Sequence, residues 1–215
     1  MSLSLYLSGL RARFDSQALH PPRPASAADE ASQQQQHATA WAALLAWCHV
    51  GAGPGKSPAW APGAQPDVAQ RLALASLRGP DAAGLLAFAN AFARTIDGST
   101  QLDALPGGAA GLALRLGVKA RDAQWWRQRQ PSDPWDAGWA ITTPPAHHQL
   151  KSQFSPRRAT LILGDRQAVE ALRPSLAALT QRSADFRHPV RWLWVGGEDD
   201  LPAPKGIVMS RPTLA

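Results

Sequence analysis

Apolar residues recur at helical spacing through most of the first 130 residues. Residues 1–19 are predicted to hold a short helix, because apolar side chains return there every three or four positions. Residues 37–50 are apolar almost all round, which indicates a buried helix. Two further helices are predicted over residues 68–78 and 82–96, since an aspartate precedes each stretch and can cap it.

The pattern changes period after Pro131. Short apolar or alternating runs typical of strands occur at residues 139–143, 159–163, 190–195 and 206–210. A helix is predicted between the second and third of these runs, over residues 166–183. The sequence therefore predicts an α+β fold, in which a mainly helical N-terminal part is followed by a small β-β-α-β-β C-terminal part.

Composition shifts divide the chain into four predicted regions. A Pro-Pro-Arg-Pro run and a Ser/Ala/Gln-rich tail favour a linker at residues 20–35, after the helix of residues 1–19. A helical domain is expected over residues 36–130 and an α/β domain over residues 131–215. The β-α-β order of this last region resembles part of a ferredoxin-like sheet, the architecture of many RNA-binding modules. The Lys/Arg-Gly-Phe type of signature that accompanies such modules is missing.

The net charge of the chain favours one class of binding partner. The chain has 215 residues, 45% of them hydrophobic and 18% charged, which is typical of a globular protein. Its net charge of +6 favours an anionic partner: nucleic acid, an acidic protein or a membrane surface. Arginine outnumbers lysine 18 to four, and 13 of these 22 cations lie in residues 115–191. Guanidinium groups bind phosphate through paired donors and stack on flat rings, although a high-GC coding sequence also enriches arginine.

The remaining composition sets limits on compartment and chemistry. A single cysteine, Cys48, allows neither a disulfide framework nor a thiolate metal cluster within the chain. No apolar run approaches the roughly 20 residues that a membrane-spanning helix needs. A soluble, cytoplasmic protein without membrane partners is therefore expected.

The motif closest to a phosphate-binding loop lies between Gly51 and Ser57. Gly51-Ala-Gly-Pro-Gly-Lys56-Ser57 resembles Gly-x4-Gly-Lys-Ser/Thr, but the first glycine would have to stand where Val50 is. A helical stretch precedes it and three prolines follow, whereas a phosphate-binding loop needs a buried strand before it and a helix after it. A flexible loop that presents one lysine is the favoured interpretation.

Other catalytic patterns are weak. The six histidines show no zinc-ligand spacing, and the acidic cluster at residues 198–200 follows two glycines, which is typical of a solvated turn. A serine nucleophile elbow of the Gly-x-Ser-x-Gly type is absent from the sequence. No catalytic residue, cofactor or metal is therefore predicted.

Two basic constellations are the candidate nucleic-acid-binding residues. The first is an Arg/Trp segment predicted to be helical; its members are Arg121, Trp125, Arg127 and Arg129. The second is a basic loop leading into the strand predicted at residue 159; its members are His147, His148, Lys151, Arg157 and Arg158. Such a loop can hold a nucleic-acid backbone without reading sequence. The alternative for both constellations is a solvated charged surface.

These observations favour a non-enzymatic nucleic-acid-binding protein, a subunit of a larger ribonucleoprotein or DNA-processing complex with other protein subunits as partners. The alternative is a protein–protein adaptor that docks through its apolar helices and tryptophans, with a charge that reflects base composition. The salt dependence of binding separates the two, because phosphate contacts weaken steeply with salt and apolar docking does not.

We expect Lys56→Ala to leave nucleotide binding unchanged, because the loop at residues 51–57 is one residue too short and has the wrong flanks. Equilibrium titration of wild type and variant with a fluorescent ATP or GTP analogue measures this. Saturable binding that disappears with Lys56 would contradict it.

Overall fold

The computed structural model describes residues 15–49, 71–105, 133–156, 158–186 and 188–196, with residues 108, 110–113, 116–117, 209–210 and 213–214. Six strands lie in these ranges: β1 (Leu19–His20), β2 (Leu72–Leu77), β3 (Asp136–Ala140), β4 (Thr160–Asp165), β5 (Val190–Val195) and β6 (Met209–Ser210). The helices are α1 (Ala27–Gln36), α2 (Ala38–Cys48), α3 (Ala82–Ile96), α4 (Ser99–Asp103), α5 (Pro144–His148) and α6 (Val169–Arg182). A π-helical turn, Gln149–Gln153, extends α5, and 3-10 turns at Arg166–Ala168 and Ser183–Asp185 flank α6.

The strands form one mixed sheet in the order β1-β3-β4-β5-β2-β6. Every described pair in it is parallel except β1 with β3. The three central strands are almost continuously buried, which is expected when helices cover both faces of a parallel sheet.

Helices cover the two faces of the sheet as two layers. Helices α2 and α3 pack on one face, where Trp41, Phe88 and Phe92 form a core with residues of β2, β4 and β5. Helix α6 and the π-helical turn pack on the other face, over Ile162 and Trp192. The protein is therefore a three-layer α–β–α structure within the ranges described.

Local sequence signals account for the elements that the sequence predicted correctly. Asp81 begins α3 by accepting hydrogen bonds from the backbone N–H groups of Ala83 (3.0 Å) and Gly84 (2.8 Å), as an N-cap should. Strand β5 lies where the alternating run at residues 190–195 predicted it, and β4 starts within one residue of its predicted position. The helix predicted after β4 is also confirmed, and it contains Pro174.

The helix predicted over residues 68–78 is wrong, because residues 72–77 form strand β2. A short, mainly apolar run occurs both in helices and in buried strands, so the sequence of residues 72–77 does not decide between the two. All six residues of β2 pair with β5, and this tertiary contact selects the strand.

The linker predicted at residues 20–35 is also largely a helix. The side chain of Ser26 caps α1 by accepting a hydrogen bond from Asp29 N at 3.1 Å, and Gln33–Gln36 form the end of that helix. Glu30 is buried, where Arg94 of α3 forms an ion pair with it and Thr100 donates a hydrogen bond to it. The polar segment is ordered by a charged partner that lies 64 residues away.

The ferredoxin-like arrangement is not confirmed, because the sheet order differs from it. A mixed α and β fold is confirmed, but β2 from the range predicted to be helical lies between β5 and β6. The separation of residues 36–130 from residues 131–215 into two domains stays a prediction, and the shared sheet and core give it no support. The loop at residues 51–57 and the helix predicted near residues 121–129 lie outside the described residues. Of the helix predicted within residues 1–19, only residues 15–19 are described, and they form a turn and the start of β1.

Within the described ranges, none of the helices has the length and apolar character that crossing a bilayer requires.

Trp192 and Trp194 are buried side by side on the face that α6 covers, with ring centroids 5.2 Å apart. These rings are therefore part of the core.

We expect Gly164→Ala to destabilise the protein by about 1–3 kcal/mol, the usual cost of overpacking a core. A Cβ at Gly164 would lie 2.5 Å from the ring of Trp194 and 2.9 Å from Nε1 of Trp192. Urea unfolding followed by tryptophan fluorescence measures the change. Gly111→Ala is the matched control, because a Cβ there meets nothing within 4 Å. Unfolding of Gly164→Ala at the wild-type midpoint would contradict the close packing.

Candidate functional site

His147, His148 and Lys151 lie on α5 and its π-helical extension, not in a loop as the sequence predicted. The His147 ring is held at both nitrogens, with Nε2 3.1 Å from the Thr142 carbonyl oxygen and Nδ1 3.0 Å from Ser175 Oγ. Because a carbonyl oxygen only accepts, Nε2 carries the proton, and in the neutral ring Nδ1 accepts from the Ser175 hydroxyl. Ser175 is fully buried on α6, so this contact joins α5 to α6 and does not present a nucleophile.

The surface of this helical layer carries the remaining residues. His148 is exposed and Lys151 is half-buried. Arg182 of α6 donates to the backbone carbonyls of Lys151 and Phe154, each at 3.0 Å, and thereby holds the end of the π-helical turn. The backbone of Lys151 is therefore held in place by α6.

Arg158 is buried, and the expectation that it is an exposed phosphate contact is wrong. Its guanidinium lies 3.6 Å from Oδ1 of Asp136, and both side chains are at most 3% exposed. The parallel register pairs Asp136 of β3 with Thr160 of β4, which brings Arg158 next to the carboxylate. A buried charge requires such a partner.

Arg191, at the end of the basic stretch, is also internal. It is fully buried on β5 and donates from Nε to the Trp47 carbonyl oxygen at 3.2 Å. This carbonyl lies in the last turn of α2, where unpaired carbonyls and the helix dipole favour a cation. Burial lowers the pKa of Arg191 to about 10, and it raises the pKa of the neighbouring Cys48 thiol to about 12. Arg191 is therefore structural, and Cys48 is an unreactive buried thiol.

The structure does not describe the other predicted nucleic-acid contacts. Arg121, Trp125, Arg127, Arg129 and Arg157 lie outside the described residues. The structure therefore brings together His147, His148 and Lys151, and it assigns Arg158 to the core.

The two helical layers differ in charge. Helices α1–α4 contain one cation, Arg94, against three carboxylates, Asp29, Glu30 and Asp103. The opposite layer, from α5 with its π-helical turn to α6 with its flanking turns, contains four cations against two carboxylates. The cations are Lys151, Arg166, Arg173 and Arg182, and the carboxylates are Glu170 and Asp185. The positive charge of these described elements therefore gathers on one face, which we call the cationic layer.

A cleft of about 440 Å³ lies at the carboxyl ends of β2, β4 and β5. Its lining includes Gly79, Pro80, Leu86, Asp165, Arg166 and Gly196. Helix α3 leaves β2 toward one face of the sheet and α6 leaves β4 toward the other. In open parallel sheets ligands bind at such a position, where the connections diverge. The cleft is therefore the candidate small-molecule site.

Sequence reasoning missed the turn that borders this cleft. Gly79-Pro-Asp-Ala-Ala-Gly84 has the glycine spacing of a phosphate-binding loop, between strand β2 and helix α3. The spacing was visible in the sequence, but the wrong helix over residues 68–78 hid the strand before it. Leu85 and Leu86 stand where such a loop has its lysine and its serine or threonine.

The chemistry of this turn differs from that of a phosphate site. The Asp81 carboxylate accepts from the N–H groups of Ala83 and Gly84, the kind of donors that would otherwise hold phosphate. A Cβ at Gly84 would come within 2.8 Å of the same carboxylate, so Gly84 leaves room for it. The turn therefore lacks the groups for phosphoryl transfer that the motif normally supplies, and it carries its own anion.

A perturbed carboxylate lies elsewhere, after the end of α3. Burial raises the pKa of Asp97 to about 6, although a hydrogen bond from Ser99 N at 2.7 Å and the charge of Arg94 oppose the shift. The bond to Ser99 orders the turn into α4, which is a structural role. No group of His, Cys, Asp or Glu side chains in the described part of the chain is arranged to hold a metal ion.

We expect Arg158→Ala to cost about 3 kcal/mol of stability, because it leaves the Asp136 carboxylate buried without that cation. Arg173→Ala is the control: it removes the same charge from an exposed pair with Glu170 and should cost about 0.5 kcal/mol or less. Chemical denaturation of both variants measures the difference. Equal stability of the two variants would show that Arg158 has no structural role.

Comparison with known proteins identifies no relative: no protein-family model, no curated protein and no solved structure matches this chain.

Proposed function

We propose that this chain is a non-enzymatic nucleic-acid-binding protein whose contact surface is the cationic layer. The observation that carries the proposal is the separation of charge between the two helical layers. A phosphate backbone is attracted to a surface where cations outnumber carboxylates, and the acidic layer on the opposite face would repel it. The net charge of +6 agrees with an anionic partner.

The cationic layer suits backbone binding because it is rigid. The contacts of His147 with Ser175 and of Arg182 with the π-helical turn fix α5 against α6. Cations held on a rigid surface lose less conformational entropy on binding than cations on a flexible loop. Arg173 is exposed on the same layer. The proposed contacts are therefore Lys151 and Arg173, with His148 beside them, and Arg157, which lies outside the described residues, remains a predicted contact.

The absence of enzymatic activity is proposed from the turn at Gly79–Gly84. Leucines stand at the two positions that would contact phosphate and its metal ion, and the Asp81 carboxylate occupies backbone donors of the turn. This arrangement supports a binding role over nucleotide hydrolysis.

An electrophoretic shift of single- and double-stranded RNA and DNA at two salt concentrations tests the function. We expect a complex at low salt whose affinity falls steeply with salt. The double variant Lys151→Gln/Arg173→Gln should weaken binding about equally across sequences. It should also reduce the salt slope by about one unit for each phosphate-binding cation that is removed.

Arg23→Gln is the matched control for this experiment. Arg23 is exposed, and its backbone N–H bonds to Asn90 of α3, so it lies by the opposite layer. The control should keep the wild-type affinity and slope. An equal effect for each charge removed in the control and in the double variant would indicate only the loss of net charge. Absence of any complex at low salt would refute nucleic-acid binding.

One observation favours the protein–protein adaptor as a second candidate. Leu112 and Leu116 are 41% and 47% exposed, the large apolar side chains most accessible among the described residues. Both lie in residues of helical conformation. Binding to a protein partner that persists at high salt and is lost in Leu112→Ser/Leu116→Ser would support this candidate over the first.

A further inference from the structure

We propose that the cleft at the carboxyl ends of β2, β4 and β5 binds a small zwitterion, a free amino acid with a large apolar side chain. This inference goes beyond nucleic-acid binding, and the cleft shares only Arg166 and Gln167 with the cationic layer. It rests on the position of the cleft, on the charges of one wall and on the apolar character of the other.

The position is one at which a ligand can reach several elements. Three neighbouring parallel strands end at the cleft, and the helices that follow β2 and β4 leave on opposite faces of the sheet. The cleft volume of about 440 Å³ lies within the range of small-molecule sites. It is too small for a folded partner or a duplex.

One wall carries opposite charges side by side. Asp165 ends β4 and accepts a hydrogen bond from Gln167 N through Oδ1 at 2.9 Å, while a carboxylate has acceptor capacity on both oxygens. Arg166 follows it in the 3-10 turn, and its guanidinium has five donors, enough for a ligand carboxylate beside any other contact. An ammonium group at Asp165 and a carboxylate at Arg166 would place each charge of one ligand beside an opposite charge.

The opposite wall is apolar. Pro80, Leu85 and Leu86, from the turn after β2 and the first turn of α3, line this side of the cleft, with Val195 of β5 beside them. This surface fits the side chain of leucine or phenylalanine. It offers no hydrogen bond to a sugar or a second charged group.

A phosphorylated ligand fits this cleft less well. The Asp81 carboxylate already binds the N–H groups at the start of α3, and Asp165 does the same before α6. Asp165, which lines the cleft, and Asp81, which caps the helix beside it, therefore repel additional negative charge.

Calorimetric titration with L-phenylalanine tests the proposal. We expect saturable binding, and we expect about tenfold weaker binding of phenylalaninamide, which lacks the carboxylate, and of N-acetylphenylalanine, which lacks the ammonium group. Such a loss corresponds to one charge-assisted hydrogen bond. ATP and inorganic phosphate should not compete.

Two variants locate the binding within the cleft. Asp165→Asn should weaken phenylalanine binding about tenfold while the fold is kept, because asparagine caps a helix as well as aspartate does. Arg166→Gln should bind phenylalanine and phenylalaninamide equally. Arg23→Gln changes an exposed arginine outside the cleft lining, so it is the control and should bind as wild type does.

Absence of phenylalanine binding by the folded wild type would overturn the proposal. Equal binding of phenylalanine and its two blocked derivatives would overturn it as well, because charge recognition would then be missing. Unchanged affinity in both Asp165→Asn and Arg166→Gln would show that any binding occurs elsewhere.

Discussion

The structure depends on the pairing of β2 with β5. All six residues of β2 lie in parallel register with β5, although more than a hundred positions separate the two strands in the chain. This pairing places a strand from the first half of the chain inside a sheet otherwise built largely from the second half. It also brings the carboxyl end of β2 beside those of β5 and β4, which creates the cleft and sets α3 and α6 on opposite faces. Without this pairing, the turn after β2 would not lie beside the ends of β4 and β5.

Burial of arginine side chains reduces the number of cations that are available to an anionic partner. Arg158 and Arg191 belong to the stretch in which cations concentrate, yet both lie in the core with defined partners. A buried guanidinium must recover the hydration that it loses, so it binds a carboxylate or a set of carbonyls and is no longer available to phosphate. The cations that can attract an anionic partner are therefore fewer than the sequence suggests, and among the described helices they gather on one layer.

The turn at Gly79–Gly84 illustrates how one architecture can support different chemistry. Its strand, glycine spacing and helix are those of a phosphate-binding loop, but Asp81 supplies a carboxylate where that loop holds an external anion. Function depends on the side chains at a site more than on the fold that carries them. The leucines and the internal carboxylate do not supply the groups with which a phosphate-binding loop holds phosphate and its metal ion.

Helix α3, strands β4 and β5 and helix α6 could be predicted because their signals are local: a capping aspartate, an apolar spacing or an alternating run. The strand at residues 72–77, the helix at residues 27–36 and the sheet order could not, since each depends on a partner distant in the chain. The same holds for the candidate sites. The sequence located His147, His148 and Lys151 in one segment, but it could not show that Arg158 turns inward to Asp136 or that Asp165 and Arg166 face the turn after β2. Composition and periodicity by themselves determined a globular chain of helices and strands with excess positive charge. The tertiary structure decided which charges are buried and which strand ends meet, because burial and parallel pairing depend on contacts between residues far apart in sequence.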